Sequence, residues 1–377
     1  MKNEIRKLAR IEEGPSPFVS LYLNTRWDSE QQRERTRLFI KNQLKRGKEL
    51  LKGKEGLLAF EEDLARVEKF VEGLIRRSYD EAIDGMALFS SRGSDIFLVY
   101  PSFMPFDNEF YLDRLPVLRP LVRLASQYQD TLAVMVETDS ARLFEISLEG
   151  LVSESTIENY VPGWHDQGGW AQLRYQRHIQ EHRNKHHKEV AEQLTNLFDT
   201  GKWKRVVLIG QDRTLAHFRG FLPERVRQHI TDAFPLDFSE ERSTILRRIY
   251  ERLFQREKEK VFQEVEELRE KAYQGGRAVF GLNGVLEAIN QGRVQTLYLS
   301  AAFHLPGGHC LRCGTLFLQD PSSTTFVCPL CKEEAKGVDL GEEMVRFVFR
   351  QDGEVKWAEG NPLLKEHEHV AASLRFR

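Results

Sequence analysis

Along residues 16–27 apolar and polar positions alternate. Val19, Leu21 and Leu23 interleave with Ser20, Tyr22 and Asn24, the two-residue period of a strand with one face on a core. The period then lengthens. Residues 29–52 carry Leu38, Ile40, Leu44 and Leu51 among charged neighbours and predict a helix, and a second helix is predicted over about 59–77. Two strands follow near 85–90 and 95–100. Pro101, Pro105, Pro116 and Pro120 punctuate the exit, so a first domain is expected over 1–126.

A strand pair, 131–137 and 141–147, flanks the turn Thr138-Asp139-Ser140. A polar stretch with Gly163, Gly168 and Gly169 leads into a predicted helix over 171–199, which Gly201 is placed to end. Residues 205–210 are a continuous apolar run, as expected of a central strand, and a helix is predicted over 213–229. Strands alternating with helices argue for an α/β fold class and a middle domain over 127–238. A long charged helix, 239–273, bridges into a third domain, 239–377. Its expected elements are a turn at Gly275-Gly276, a helix at 282–291, a strand at 294–300, a helix at 340–351, and strands at 354–358 and 370–376. A cysteine-bearing insertion over about 307–335 interrupts it.

Composition narrows the class. Hydrophobic residues at 41% and charged residues at 30% are the balance of a soluble globular protein. No run of 18 apolar residues predicts a membrane span, so no membrane partner is expected. The N-terminal MKNEIRKLARIEEG lacks the apolar core of a secretory signal, which points to a cytoplasmic protein. A net charge of -2 excludes a uniformly basic chain but not a local basic face. One such face is conceivable on 29–52, with Arg33, Arg35, Arg37, Lys41, Lys45, Arg46, Lys48 and Lys52, although interspersed acids and amides favour a solvated surface.

All four cysteines, Cys310, Cys313, Cys328 and Cys331, lie in one segment as C-x2-C, fourteen residues, C-x2-C. Two thiolate pairs on turns supply a closed four-sulfur set for structural Zn2+. Two disulfides or idle thiols are the alternative, disfavoured where thiols stay reduced. Four sulfurs leave no open position for catalysis at the metal, and His309 is adjacent but surplus.

The unusual stretch is WHDQGGWAQLRYQRHIQEHRNKHHK, 164–188. It holds Trp164 and Trp170 of five tryptophans, and His165, His178, His182, His186 and His187 of eleven histidines. Gly168-Gly169 permits backbone conformations closed to other residues and immediately precedes a helix start, where free N–H groups favour anions. Arg174, Arg177, Arg183, Lys185 and Lys188 follow on the helix. Glycine, cation and aromatic together suit a phosphate backbone with stacked bases. On charge alone a solvated basic helix with a flexible entry loop is the favoured reading, and a second metal is disfavoured because His182, His186 and His187 lack nearby carboxylates. Ile179, Val190, Leu194, Leu197 and Phe198 form a core stripe.

The run G-G-W-A-Q-L-R-Y-Q-R (168–177) resembles the G-G-Q-S-x-x-R-F-x-R signature of archaeo-eukaryotic class-I release factors. GLNGVLEAINQGRVQTLYL (281–299) resembles the opening of the last domain of those factors and of Pelota, and AASLRF (371–376) their closing strand. The chain is similar over about 130–377 to the bacterial and archaeal branch grouped with Vms/Ankzf-type peptidyl-tRNA hydrolases. The resemblance implies a ribonuclease-H-like middle domain and a C-terminal domain like the kink-turn-binding ribosomal proteins, with a zinc-ribbon insertion. It further implies hydrolysis of the peptidyl-tRNA ester, with the large ribosomal subunit, ribosomal RNA and the tRNA acceptor end as partners, and a translational GTPase as a further one. Gly168, Gly169 and Gln172 become the catalytic candidates, with Gln167 second, and Trp170, Arg174, Arg177, Arg183 and Lys185 the RNA contacts. Trp170 stands where the signature has glutamine, and no N-I-K-S codon-reading motif occurs in 1–126. These departures point to codon-independent rescue. They also keep open a non-catalytic occupant of the ribosomal A site or a general RNA-binding module.

Overall fold

A computed structural model of the chain describes residues 2–14, 16–27, 29–52, 57–76, 83–147, 150–159, 170–300, 303–319 and 325–376, with the backbone alone for Lys2, Leu57, Ala59 and 170–176. By contact density the chain divides into two compact units. One combines Met1–Gln127 with Glu257–Arg377, and the other is Tyr128–Arg256.

The first segment begins with α1 (Lys2–Ala9) and β1 (Phe18–Asn24). It continues with α2 (Glu30–Leu51), α3 (Leu57–Arg76), β2 (Gly85–Ser91), β3 (Ile96–Ser102), β4 (Glu109–Asp113) and α4 (Arg119–Gln127). Its antiparallel sheet has the order β3-β2-β1-β4. Val19, Leu21 and Leu23 pack against Ile40, Leu44, Phe60, Leu64 and Val67 of α2 and α3. The opposite face of β1 is covered as well. Ser20 and Tyr22 are fully buried too, because the chain after β4 crosses that face. Tyr22 Oη donates to Val117 O at 2.6 Å, and Val117 N–H donates to Ser20 Oγ at 3.0 Å, so the polar set binds backbone rather than water.

The second unit opens with the antiparallel strands β5 (Thr131–Val136), β6 (Ser140–Ser147) and β7 (Gly150–Glu158). Next come α5 (Trp170–Phe198), β8 (Arg205–Ile209), α6 (Asp212–Arg219), α7 (Glu224–Arg227) and β9 (Ile230–Phe234). The sheet order is β7-β6-β5-β8-β9, with β8 parallel to β5 and β9 parallel to β8. Three antiparallel strands extended by two parallel ones through crossover helices are the ribonuclease-H-like arrangement. The single helix predicted over 213–229 is two. Pro223 has no N–H to continue a helix and serves as N-cap of α7 in an extended conformation.

α8 (Arg242–Tyr273) leaves this unit and enters the C-terminal segment, which holds β10 (Ala278–Phe280), α9 (Leu282–Asn290) and β11 (Val294–Leu299). A three-stranded ribbon, β12 (Pro306–His309), β13 (Leu316–Leu318) and β14 (Lys336–Asp339), is inserted there. Then come α10 (Leu340–Arg350), β15 (Glu354–Trp357), α11 (Pro362–Glu366) and β16 (Val370–Leu374). The main sheet has the order β10-β16-β11-β15.

Within the first unit, α10 is buried along nearly its whole length, between the strands of its own segment and α1 and α4 of the N-terminal segment. Glu342 accepts the backbone N–H of Leu118 at 2.7 Å and of Arg119 at 3.1 Å, capping the start of α4. Arg346 donates to Pro116 O at 2.7 Å and pairs with Glu342 at 3.3 Å, and Arg350 donates to Ala9 O at 2.7 Å. Segments 1–126 and 239–377 each carry a sheet of their own, and we retain both as proposed domains, docked through α10.

Candidate functional site

α5 is the element that carries the unusual sequence. Its C-terminal half is core: Val190, Ala191 and Leu194 pack with Leu132, Val134, Val206 and Leu208 of the sheet. Gly201, at φ 75, ends it by donating to Phe198 O at 3.1 Å. Gly163, Trp164, His165, Gln167, Gly168 and Gly169 lie outside the described residues. Trp170, Gln172 and Arg174 are described as helical backbone only. Arg177 and Lys185 are exposed, and Arg183 is half-buried.

The chain leaves β7 at a fixed point. Asn159 N–H donates to Asp139 O at 2.8 Å. Its Nδ2 donates to His186 Nδ1 at 2.9 Å and to Glu189 Oε2 at 3.1 Å. The helix begins at Trp170. Sixteen helical positions separate Trp170 from His186, a rise of roughly 24 Å.

Buried histidines brace the base of this helix. His187 Nε2 lies 3.1 Å from Glu137 O, so that nitrogen carries the proton and donates. Its Nδ1 must then accept, and His217 Nδ1–H is the donor at 2.9 Å. Gln180 Nε2–H completes the series by donating to His217 Nε2 at 3.3 Å. Both tautomers follow from a carbonyl at one end and an amide at the other. Burial holds His187 neutral, pushing its pKa down to about 4, with the nearby charges of His217 and Arg183 acting the same way. Burial and Arg183 also depress His217. These rings tie α5 to α6 and to the end of β5. With both nitrogens of His187 occupied and Nδ1 of His186 taken by Asn159, a second metal among them has little to bind.

Sequence reasoning treated the basic residues of α2 as one set, and the structure sorts them. Arg37 pairs with Glu34 and Glu72, and Arg33 lies 3.9 Å from Glu30. Lys41, Lys45, Lys48 and Lys52 are exposed, at spacings that line one face of the helix.

In the ribbon the four cysteine sulfurs lie within 4.8 Å of one another, the only such metal-ligating group among the described residues. Cys310 and Cys331 are 3.4 Å apart, and Cys313 and Cys328 3.5 Å. A tetrahedral ion with sulfur ligands at about 2.3 Å needs sulfurs roughly 3.8 Å apart, so the set fits. Two equivalent turns build it. Cys310 N–H donates to Thr315 O at 3.0 Å and Gly314 N–H to Cys310 O at 2.8 Å. Cys328 N–H donates to Glu333 O at 2.8 Å and Lys332 N–H to Cys328 O at 3.0 Å. Gly314 at φ 74 and Lys332 at φ 64 close the two turns in the left-handed region.

Residues 116–253 match the family described as bacterial archaeo-eukaryotic release factor family 10. Over this segment, somewhat more than a third of its length, the chain is similar to that release-factor family. The match takes in α4, the whole ribonuclease-H-like layer, the glycine-bearing segment and α5. Solved structures with similarity include an archaeal translation termination factor, aRF1, at 18% identity, covering 100% of this chain and 98% of that one with a TM-score of 0.25. Pelota of Archaeoglobus fulgidus is 17% identical, covering 78% and 79% with a TM-score of 0.39. Dom34 of S. cerevisiae, a translation termination-like factor, is 12% identical, covering 78% and 79% with a TM-score of 0.40. No curated protein matches the chain. At these scores the likeness to the release-factor family rests on the matched segment. Among the described residues no helix is long and apolar enough to cross a membrane.

Proposed function

We propose that this chain is a ribosome-directed, codon-independent factor that hydrolyses the ester joining peptide to tRNA, acting in the cytoplasm. The observation that carries this reading is the family match over 116–253, which spans G-G-W-A-Q-L-R-Y-Q-R at the start of α5. Ester hydrolysis there needs a water placed beside the carbonyl and dipoles directed at the developing oxyanion. Gly168 and Gly169 allow close backbone approach, and Gln172 orients the water through an amide that does not titrate. Trp170 stacks on a base, while Arg174, Arg177, Arg183 and Lys185 contact phosphates of ribosomal RNA or of the acceptor end. The four-cysteine set takes zinc, which supplies no chemistry to the ester and braces the ribbon as a structural ion or as part of a docking surface. A translational GTPase is the proposed delivery partner.

Trp170 favours a second reading. An indole stands where the signature has its glutamine and cannot orient water as an amide does, so the chain would occupy the A site without cutting. Ribosomes carrying labelled peptidyl-tRNA separate the two. Release that disappears in Gln172→Ala, with ribosome co-sedimentation intact, supports hydrolysis. Stable co-sedimentation with no release by the unaltered chain supports the occupant. Neither release nor binding removes both.

A further inference from the structure

At the carboxyl ends of β5 and β8 stand two cations, Arg183 of α5 and Arg213 of α6, of which only Arg183 enters the reading above. Both parallel strands end there, and open α/β sheets hold ligands beyond the carboxyl ends of their strands. The backbone is drawn tight, since a Cβ on Gly210 (φ 148) would lie 2.5 Å from Val136 O. α5 and α6 flank this end of the sheet, held together by the Gln180–His217–His187 series.

From α5, Arg183 reaches across to α6, its Nη2 3.5 Å from Thr214 Oγ1. Its Nε is buried and has no hydrogen-bond partner. Arg213, exposed in the first turn of α6, stands near enough that its charge, after burial, depresses the basicity of Arg183. The same charge on Arg183 disfavours protons on His187 and His217. Among the described residues no carboxylate lies within ion-pair distance of either guanidinium. A half-buried cation facing a like charge, with an idle N–H, is costly unless an outside anion completes it.

We propose that Arg183, Arg213 and Thr214 form a binding site for one phosphate group of an RNA backbone. The guanidinium of Arg183 supplies one set of N–H donors, Arg213 supplies a second fork, and Thr214, accepting from Arg183, keeps its O–H free to donate. RNA is the source because the exposed cations Arg177 and Lys185, although on another side of α5 from Arg183, add to the same helix the positive charge that draws a polyanion. The site rests on the proposed RNA-facing role of α5 and adds two residues from a different helix, which no motif marks.

The test is binding of the full chain to a labelled RNA hairpin with a single-stranded 3′ end, measured across a salt series. Arg213→Gln should weaken binding about tenfold and lower the slope of log K against log salt by about one, irrespective of RNA sequence. Arg183→Gln should do the same, and Thr214→Val should lose less with the slope unchanged. Inorganic phosphate at constant ionic strength should compete with RNA on the unaltered chain and not on Arg213→Gln. Wild-type affinity and slope in both arginine variants overturn the site while leaving the hydrolase reading intact. Variants weakened for RNA alongside absent peptide release keep the site and sink hydrolysis. No RNA binding by the unaltered chain overturns the site and the proposed RNA contacts of α5 together. Phosphate that protects Arg183 from a guanidinium reagent without displacing RNA overturns RNA as the source.

Discussion

His217 donates from Nδ1 to Nδ1 of His187 across 2.9 Å, a bond that requires an unprotonated nitrogen on the buried ring. Burial lowers the pKa of His187 from 6.5 to about 4. A histidine depressed in the folded state stabilises fully above its unfolded value, and that contribution is lost as pH falls through the folded one. The second unit should therefore lose stability between about pH 6.5 and pH 4, by on the order of 3 kcal/mol from this ring. Hydrogen exchange of β5 and β8 peptides, corrected for intrinsic rates, should show falling protection over that window. In His187→Asn the fall should flatten from a lower starting level, and an unchanged acid limb would count against the ring.

Glu342 behaves oppositely. Burial raises its carboxyl to about 6, against the pull of Arg346 and the N–H groups of Leu118 and Arg119. A group raised in the folded state stabilises fully below its unfolded value, 4.5, and loses that contribution as pH rises through the folded one. Protection of α4 and α10 amides should increase by about 2 kcal/mol as pH drops from 7.5 to 4.5, and the trend should vanish in Glu342→Gln. Glu342→Ala strands a buried guanidinium and should cost about 3 kcal/mol at neutral pH, read from urea unfolding.

The two cysteine turns should respond differently to substitution. Gly314 has open space where a Cβ would go, so Gly314→Ala meets only the strain of φ 74, about 1 kcal/mol. Chelator competition should show roughly fivefold weaker metal retention. Lys332→Gly removes the same strain at φ 64, and its retention should equal or exceed that of the unaltered chain.

Metal removal should be felt locally first. Cys310 and Cys328 are fully buried in a small three-stranded ribbon, so stripping the ion should expose 306–339 to protease before the sheet around β11 and β16. Simultaneous loss of both regions would contradict a separate ribbon.

Much of this architecture was readable from local chemistry. C-x2-C places two sulfurs on one turn, and Gly168-Gly169 before a basic run marked the start of α5 within one residue. What was not readable depends on distant partners. Ser20 and Tyr22 look solvent-facing until Val117 arrives, and Glu342 looks like an ordinary first-turn acid until it caps α4 from 223 residues away. The histidines of α5 drew notice as metal candidates because His217, thirty residues on, was absent from the local pattern. Arg213 and Thr214 were invisible for the same reason. β4, β7 and β9 are edge strands with mixed exposure, and such strands leave weak periodicity.

Asn159 fastens the end of β7 to His186 and Glu189, and both belong to the helix that Trp170 begins. Strand and helix are thereby fastened at His186, roughly 24 Å along the rod from Trp170, so an exchange at Trp170 is made far from the tie that holds β7 to α5.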